Sequence, residues 1–298
     1  MRILMSGASG LIGSALATRL TADGHSVARL VRRDPHANEF RWDPSTGSID
    51  RAAFDSCDAV INLSGAGIGD KRWTDEYKRV LVASRVQSTE LLSTTMAALD
   101  HTPSVFLSGS AIGWYGDRGD ERLDEQSAAG DGFLSDLCRE WEAATGPAEK
   151  AGIRTVHLRT GIVLAKQGGA LKKQLPLFKL GVGGRFGNGH QWQSWITIDD
   201  EVGAIAHLLA TEASGAVNLT APNPVTNSEF TSTLAKVVHR PAFVPVPAFA
   251  PKLLLGGELV DTLLLGGQRV VPTALQRSGY DFQHATLDAA LRHVLDRP

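Results

Sequence analysis

Short apolar runs alternate with stretches of helical periodicity along most of this chain. Arg2–Met5 is a brief apolar run and Gly7–Gly13 a glycine-rich turn. Ser14–Asp23 is amphipathic with a stop at Gly24, and Val27–Val31 is a second apolar run. Strand, tight turn, helix and strand within about thirty residues make the βαβ unit that a parallel sheet requires. The rhythm continues with strands at Ala59–Leu63, Ser104–Ser108 and Thr155–Leu158 and helices at Asp75–Leu99, Leu134–Ala151 and Val202–Thr211. Alternation of this length predicts an α/β fold with a doubly wound parallel sheet.

Two regions interrupt it. Residues 166–195 mix many glycines, from Gly168 to Gly189, with lysines and aromatics, which predicts a loop-rich insertion. From about residue 221 the chain is punctuated by Pro222, Pro224, Pro241, Pro245, Pro247, Pro251 and Pro272, around a helix at Ser228–Val238. The division that follows is a nucleotide-binding domain of 1–165 plus about 196–212, and a smaller, largely C-terminal lobe of 166–195 and 213–298 over the carboxyl edge of the sheet. Leu-Leu-Leu-Gly-Gly occurs at 253–257 and again at 263–267, read as helix ends capped by glycine.

Composition narrows the function. A net charge of −2 on 298 residues gives no attraction toward nucleic acid or an anionic membrane, so neither is expected as a partner. Cys57 and Cys138 stand far apart in no ligand spacing; no metal is expected, and a reducing cytoplasm is the expected location. The first apolar run stops at Ser6-Gly7, too early for a signal peptide. Lys252, Glu258 and Asp261 break the leucine-rich stretch 252–267 well short of the ~20 apolar residues that span a bilayer.

Gly7-Ala8-Ser9-Gly10-Leu11-Ile12-Gly13 places glycines at three-residue intervals between a strand and a helix. The first permits the turn, the second lets backbone approach a pyrophosphate, and the third lets helix pack on strand. N–H groups at the helix start then face the phosphates. This is a Rossmann-type signature. Cofactor choice rests on the end of the second strand, where an acid suits a ribose 2′-hydroxyl and an arginine a 2′-phosphate. Here stand Val31-Arg32-Arg33, with the first acid, Asp34, only after them. A guanidinium grips phosphate through two parallel N–H groups, so NADP(H) is expected over NAD(H). The run Asp58–Ala66 is a buried strand leading into small residues that leave room for ribose or adenine.

These motifs resemble the extended short-chain dehydrogenase/reductase superfamily, and within it the atypical epimerase-like family with a C-terminal extension of unknown function. The resemblance rests on Gly7–Gly13, Asn62–Gly65, Arg72-Trp73 with Ser84-Arg85 and Thr89, Ser108–Gly116, Leu137-Cys138 with Trp141-Glu142, Arg159–Leu164, Gly187–Asp199 and Gly266–Pro272. It implies that Arg32 and Arg33 hold the 2′-phosphate and that Leu63, Ser64 and Gly65 line the adenosine side. It also implies that Arg85 stands where relatives keep a cofactor-contacting asparagine, and that Val163 lies beside the nicotinamide.

The chain departs from the family in its chemistry. Typical members pair a serine with a tyrosine and a lysine four residues apart on one helix face, the lysine lowering the tyrosine pKa. The three tyrosines here are followed at that spacing by Leu81, Gly119 and His284, and Leu134 and Cys138 stand where the couple belongs. Ser110, matching the family serine, and Tyr115 are the candidate catalytic residues, and loop residue His190 is a possible proton donor. The expected function is an NADP(H)-dependent oxidoreductase or epimerase-like enzyme on a small polar substrate. The alternative is a nucleotide-holding sensor or scaffold.

Overall fold

The computed structural model describes residues 1–242, 245–247 and 249–297. The sheet runs, edge to edge, Gly215–Leu219, Arg154–Thr160, Val105–Ala111, Ala59–Asn62, Arg2–Ser6, Ser26–Val31 and Glu39–Asp43, all parallel, with the antiparallel pair Ser48–Ile49 at the far edge. Strand order reverses at Arg2–Ser6, whose neighbours are the second strand on one side and Ala59–Asn62 on the other. In a doubly wound sheet that reversal opens the ligand crevice at the carboxyl ends.

The two-residue period of a strand divides the core. Ile3 and Met5 point to one face, with Ile61 and Leu107, against Leu16 and Leu20 of helix Leu11–Ala22 and Ile205 and Leu208 of helix Ile198–Leu209. Leu4, Val60 and Phe106 point to the other, against Leu92 and Met96 of helix Asp75–Ala97. Burial on both faces is why these strands read as unbroken apolar runs.

Four sequence expectations need correction. Gly215–Leu219 belongs to the large sheet, paired with Arg154–Thr160, and not to the smaller lobe. Glu39–Asp43 is a further parallel strand that the apolar pattern did not signal, because at the edge only Trp42 of its five residues is fully buried. The loop-rich insertion holds helix Gly169–Lys179, in which Leu171, Leu175 and Phe178 form one buried face despite the internal Pro176. That face joins Phe230, Leu234, Leu287 and Leu291 in a second core. The helix expected over Leu134–Ala151 is split into Phe133–Ala143 and Gly146–Lys150, with Pro147 at the start of the second. As expected, Gly256 follows helix Phe249–Leu255, and Gly266 follows the helical turn Asp261–Leu265.

The C-terminal segment is fastened through two adjacent acids. Asp200 accepts from the backbone N–H of Gln283 (2.8 Å) and His284 (3.1 Å) and from the Tyr280 hydroxyl (3.1 Å). Asp199 meets His293 Nε2 at 2.9 Å, and His293 stacks on the half-buried His284 at 4.3 Å, a cluster no local spacing signals. Among the described residues no helix is long and apolar enough to cross a membrane.

Candidate functional site

Two strand ends meet at the reversal point with no room to spare. Gly7 has φ +69°, and a Cβ there would stand 2.5 Å from the carbonyl carbon of Leu63; one on Gly13 would stand 2.2 Å from the Gly7 oxygen. Only glycine fits either place. Gly10 differs: a Cβ would stand 3.4 Å from the Gly7 oxygen, and Ser9 and Gly10 are exposed. The outer face of the loop is therefore bare backbone at the start of helix Leu11–Ala22, the arrangement that receives a pyrophosphate. Ile12 packs on the core, and Leu11 lies under Gly168, where a Cβ would meet its Cδ1 at 2.9 Å, so the insertion closes on the loop. Across the crevice the backbone N–H of Ser64 donates to Asn62 Oδ1 (3.2 Å). The same oxygen accepts from Ser6 (2.6 Å), and Asn62 Nδ2 donates to Thr89 (2.9 Å), which sets the Leu63–Gly65 turn. Val163 sits on the short strand Ile162–Leu164, in register with Ile196, half-buried at the exit from the sheet.

The two arginines after the second strand have different partners. Arg33 makes a two-pronged pair with Glu39 (both contacts 2.7 Å) and also donates to the Asp34 carbonyl. That hydrogen-bonded guanidinium, with the His36 N–H, holds the Glu39 carboxyl down to about 2. Asp34, the acid that could have competed for a ribose, is held by Arg41 (2.6 Å). Arg32 is exposed and, among the described residues, makes no hydrogen bond or ion pair. Of the expected pair, Arg32 has its donors free and Arg33 has most of its own engaged.

Ser110 and Tyr115 belong to one buried network. Ser110 Oγ donates to Glu142 Oε1 (2.6 Å); Arg159 grips the same carboxylate through Nε (2.8 Å) and Nη2 (2.9 Å). Arg159 Nη1 donates to the Tyr115 hydroxyl (3.0 Å), which donates to Asn218 Oδ1 (2.7 Å), and Asn218 Nδ2 reaches the Val271 carbonyl (3.0 Å). Ser110, Glu142 and Arg159 are 4%, 8% and 3% exposed, and Tyr115 and Asn218 fully buried. Tyr115 thus lies inside the protein, with its hydroxyl between Arg159 and Asn218. Burial pushes its hydroxyl up to about 12 against the opposing pull of Arg159, and both its hydrogen bonds go to protein groups. Ser110 keeps its place at a strand end, yet its proton is already given to Glu142. His190 is exposed on its loop.

The model of the NAD-dependent epimerase/dehydratase family matches residues 3–220, and that of a domain of unknown function, DUF1731, matches 246–294. The chain belongs to the NAD-dependent epimerase/dehydratase family. It is 44% identical over 298 residues to an epimerase family protein of Mycobacterium leprae, covering 99% of this chain and 96% of the relative. It is 35% identical over 300 residues to the human epimerase family protein SDR39U1, covering 99% and 100%. The crystal structure of human SDR39U1 (isoform 2) with NADPH superimposes with a TM-score of 0.91 at 33% identity over the whole of both chains. UDP-glucose 4-epimerase of Thermus thermophilus, in complex with NAD, shares the fold at a TM-score of 0.74 with 18% identity.

Helix Phe133–Ala143 packs its Leu134 and Cys138 against the turn that follows strand Val105–Ala111. Leu134 packs under Gly113, where a Cβ would lie 3.1 Å from its own. Cys138 is buried with Sγ directed at the Ala111 carbonyl, and desolvation raises its thiol to about 12. Sequence reasoning missed Glu142, Arg159 and Asn218 as site-forming groups. One signal was available: a strand buried on both faces should read as apolar, and His157 and Arg159 interrupt Val156-His157-Leu158-Arg159. Glu201 was missed too. It is fully buried, accepts from Thr160 Oγ1 (2.8 Å), leaves Oε2 unpartnered, and is raised by desolvation to about 8.

Proposed function

We propose that this epimerase-family protein binds NADP(H) in preference to NAD(H) and acts as an oxidoreductase or epimerase-like enzyme on a small polar substrate, without a tyrosine–lysine couple. The observation that carries the cofactor choice is the division of labour after the second strand: Glu39 and Asp34 are neutralised by Arg33 and Arg41, and Arg32 is left to meet a 2′-phosphate. The loop Gly7–Gly13, with Ser9, Gly10, Leu11 and Ile12, would hold the pyrophosphate, Leu63, Ser64 and Gly65 the adenosine side, and Val163 the nicotinamide side. Bound nicotinamide supplies or accepts hydride at C4. Ser110 would orient the substrate, accepting a hydrogen bond from a substrate hydroxyl through the lone pairs that Glu142 leaves free.

A second reading has its own support. Both candidate hydroxyls, Ser110 and Tyr115, are committed to protein partners, as in a protein that holds NADP(H) as a sensor or scaffold. One experiment separates the two: NADPH oxidation and NADP+ reduction by purified protein across aldehydes, ketones, 2-hydroxy acids and sugar nucleotides. Saturable turnover of any of these supports the enzyme. Tight NADPH binding with no turnover supports the sensor, and no NADPH binding sinks both.

A further inference from the structure

Arg85 and Arg159 are both desolvated arginines lying over a tryptophan ring, and they differ in what faces them. Arg159 stacks 3.9 Å above Trp114 and is met by both oxygens of Glu142. Arg85 lies 5.1 Å from the Trp141 ring, with Nη1 donating to the Leu81 carbonyl (3.1 Å) and Nη2 to the Ala66 carbonyl (3.0 Å). Those carbonyls satisfy only part of a guanidinium's five donors. Among the described residues no carboxylate pairs with it. The ionisable groups that face it are Cys138 and Tyr77, and burial raises both, so both are neutral at pH 7. Arginine keeps its charge in such surroundings. A desolvated cation without a counter-charge is costly in a folded protein.

Its position gives the charge a use. The guanidinium lies against Gly65, where a Cβ would stand 3.1 Å from Cζ, and Gly65 is exposed at the carboxyl edge of the sheet. The same edge carries Cys138, close enough for the two groups to perturb each other's ionisation.

We propose that Arg85 is the anion receptor of this site and that the substrate carries an oxyanion, a carboxylate or a phosphate, bound by its remaining N–H groups beside Gly65. The proposal rests on the reading of the crevice as an NADP(H) site. It moves Arg85 from the cofactor, where the family resemblance set it, to the substrate. The dinucleotide already has its phosphate receptors in that reading, the Gly7–Gly13 loop and Arg32.

The test uses the full-length wild type, Arg85→Met and Arg85→Lys, with and without saturating NADPH, titrated with sodium phosphate or sodium acetate at constant ionic strength. Melting temperature and the fluorescence of bound NADPH are read. With NADPH bound, the wild type is expected to show a saturable response to one of the anions in the millimolar range. The midpoint should move tenfold or more, or vanish, in Arg85→Met and be partly restored in Arg85→Lys. NADPH affinity should stay within about twofold in both variants. Without anion, Arg85→Met should melt no more than a few degrees from wild type, because the two carbonyl hydrogen bonds and the ring contact it loses are offset by removal of a desolvated charge that no carboxylate meets.

Three results overturn the proposal. A tenfold or greater loss of NADPH affinity in Arg85→Met gives the arginine to the cofactor. Melting several degrees lower with an unchanged anion response makes it structural. A wild type without a saturable response to either anion has no receptor. If wild type binds no NADPH, the cofactor reading fails by itself, and the NADPH-free anion titration still decides Arg85.

Discussion

Arg159 meets both oxygens of Glu142, Nε to Oε1 at 2.8 Å and Nη2 to Oε2 at 2.9 Å, with each side chain almost wholly buried. The pair joins strand Arg154–Thr160 to helix Phe133–Ala143, and through Ser110 and Tyr115 it ties in the neighbouring strand end. Removing one partner leaves a buried charge unpaired, which typically costs about 3–5 kcal/mol. Arg159→Met and Glu142→Leu should each lower stability by that order in urea unfolding. The double variant should recover part of the loss. An additive double variant would mean the two groups do not depend on each other.

Arg32 and Arg33 should respond differently to removal. A charge-assisted contact to phosphate is worth about 1.5–3 kcal/mol. Arg32→Ala should therefore weaken NADPH by roughly tenfold or more and leave NADH nearly unchanged. Arg33→Ala should have the smaller effect, because its guanidinium serves Glu39. Equal wild-type affinities for the two nucleotides, measured by fluorescence titration, would refute the preference.

Glu201 should give stability a pH dependence of defined sign. Its folded pKa is raised to about 8 from an ordinary 4.5 by desolvation. Between those values the native state holds a proton that the unfolded chain has released, so stability falls as pH rises from 4.5 toward 8 and levels off above. Glu201→Gln keeps the Thr160 contact and removes the titration. Its advantage over wild type should be absent below pH 4.5 and grow to the order of several kcal/mol by pH 8. Parallel melting curves of the two proteins across that range would show that Glu201 does not titrate as described.

Ser110→Ala removes one of the donors to the Glu142 carboxylate. Loss of a buried, charge-assisted bond should cost about 1–3 kcal/mol of stability and leave NADPH affinity unchanged. If Ser110 also holds substrate, kcat/KM should fall by roughly tenfold or more with any substrate the panel yields. Full turnover in the less stable variant assigns Ser110 to the network alone.

Epimerisation of UDP-glucose to UDP-galactose should be absent or very slow. No tyrosine in the sequence is followed four residues later by a lysine, and burial raises the Tyr115 hydroxyl away from neutrality. Robust formation of UDP-galactose by purified protein, followed by chromatography, would require an acid–base group not identified among these residues.

The sequence alone determined the architecture and the glycine turn at the reversal of strand order. Seven residues from Gly7 to Gly13 state a local backbone requirement, and most of the doubly buried strands are short apolar runs, so both are written in adjacent positions. The edge strand Glu39–Asp43 and the helix Gly169–Lys179 were harder to read, since one is only partly buried and the other carries Pro176. What each polar side chain does was decided by tertiary structure. Arg32 and Arg33 are neighbours of the same type, and only the fold of the third strand brings Glu39 to one of them. Arg85 and Arg159 are likewise the same residue type, one facing Glu142 and the other no carboxylate among the described residues. Charge is a property of the residue, but its cost and its use depend on the partners around it. Those partners arrive from strands and helices distant in the chain.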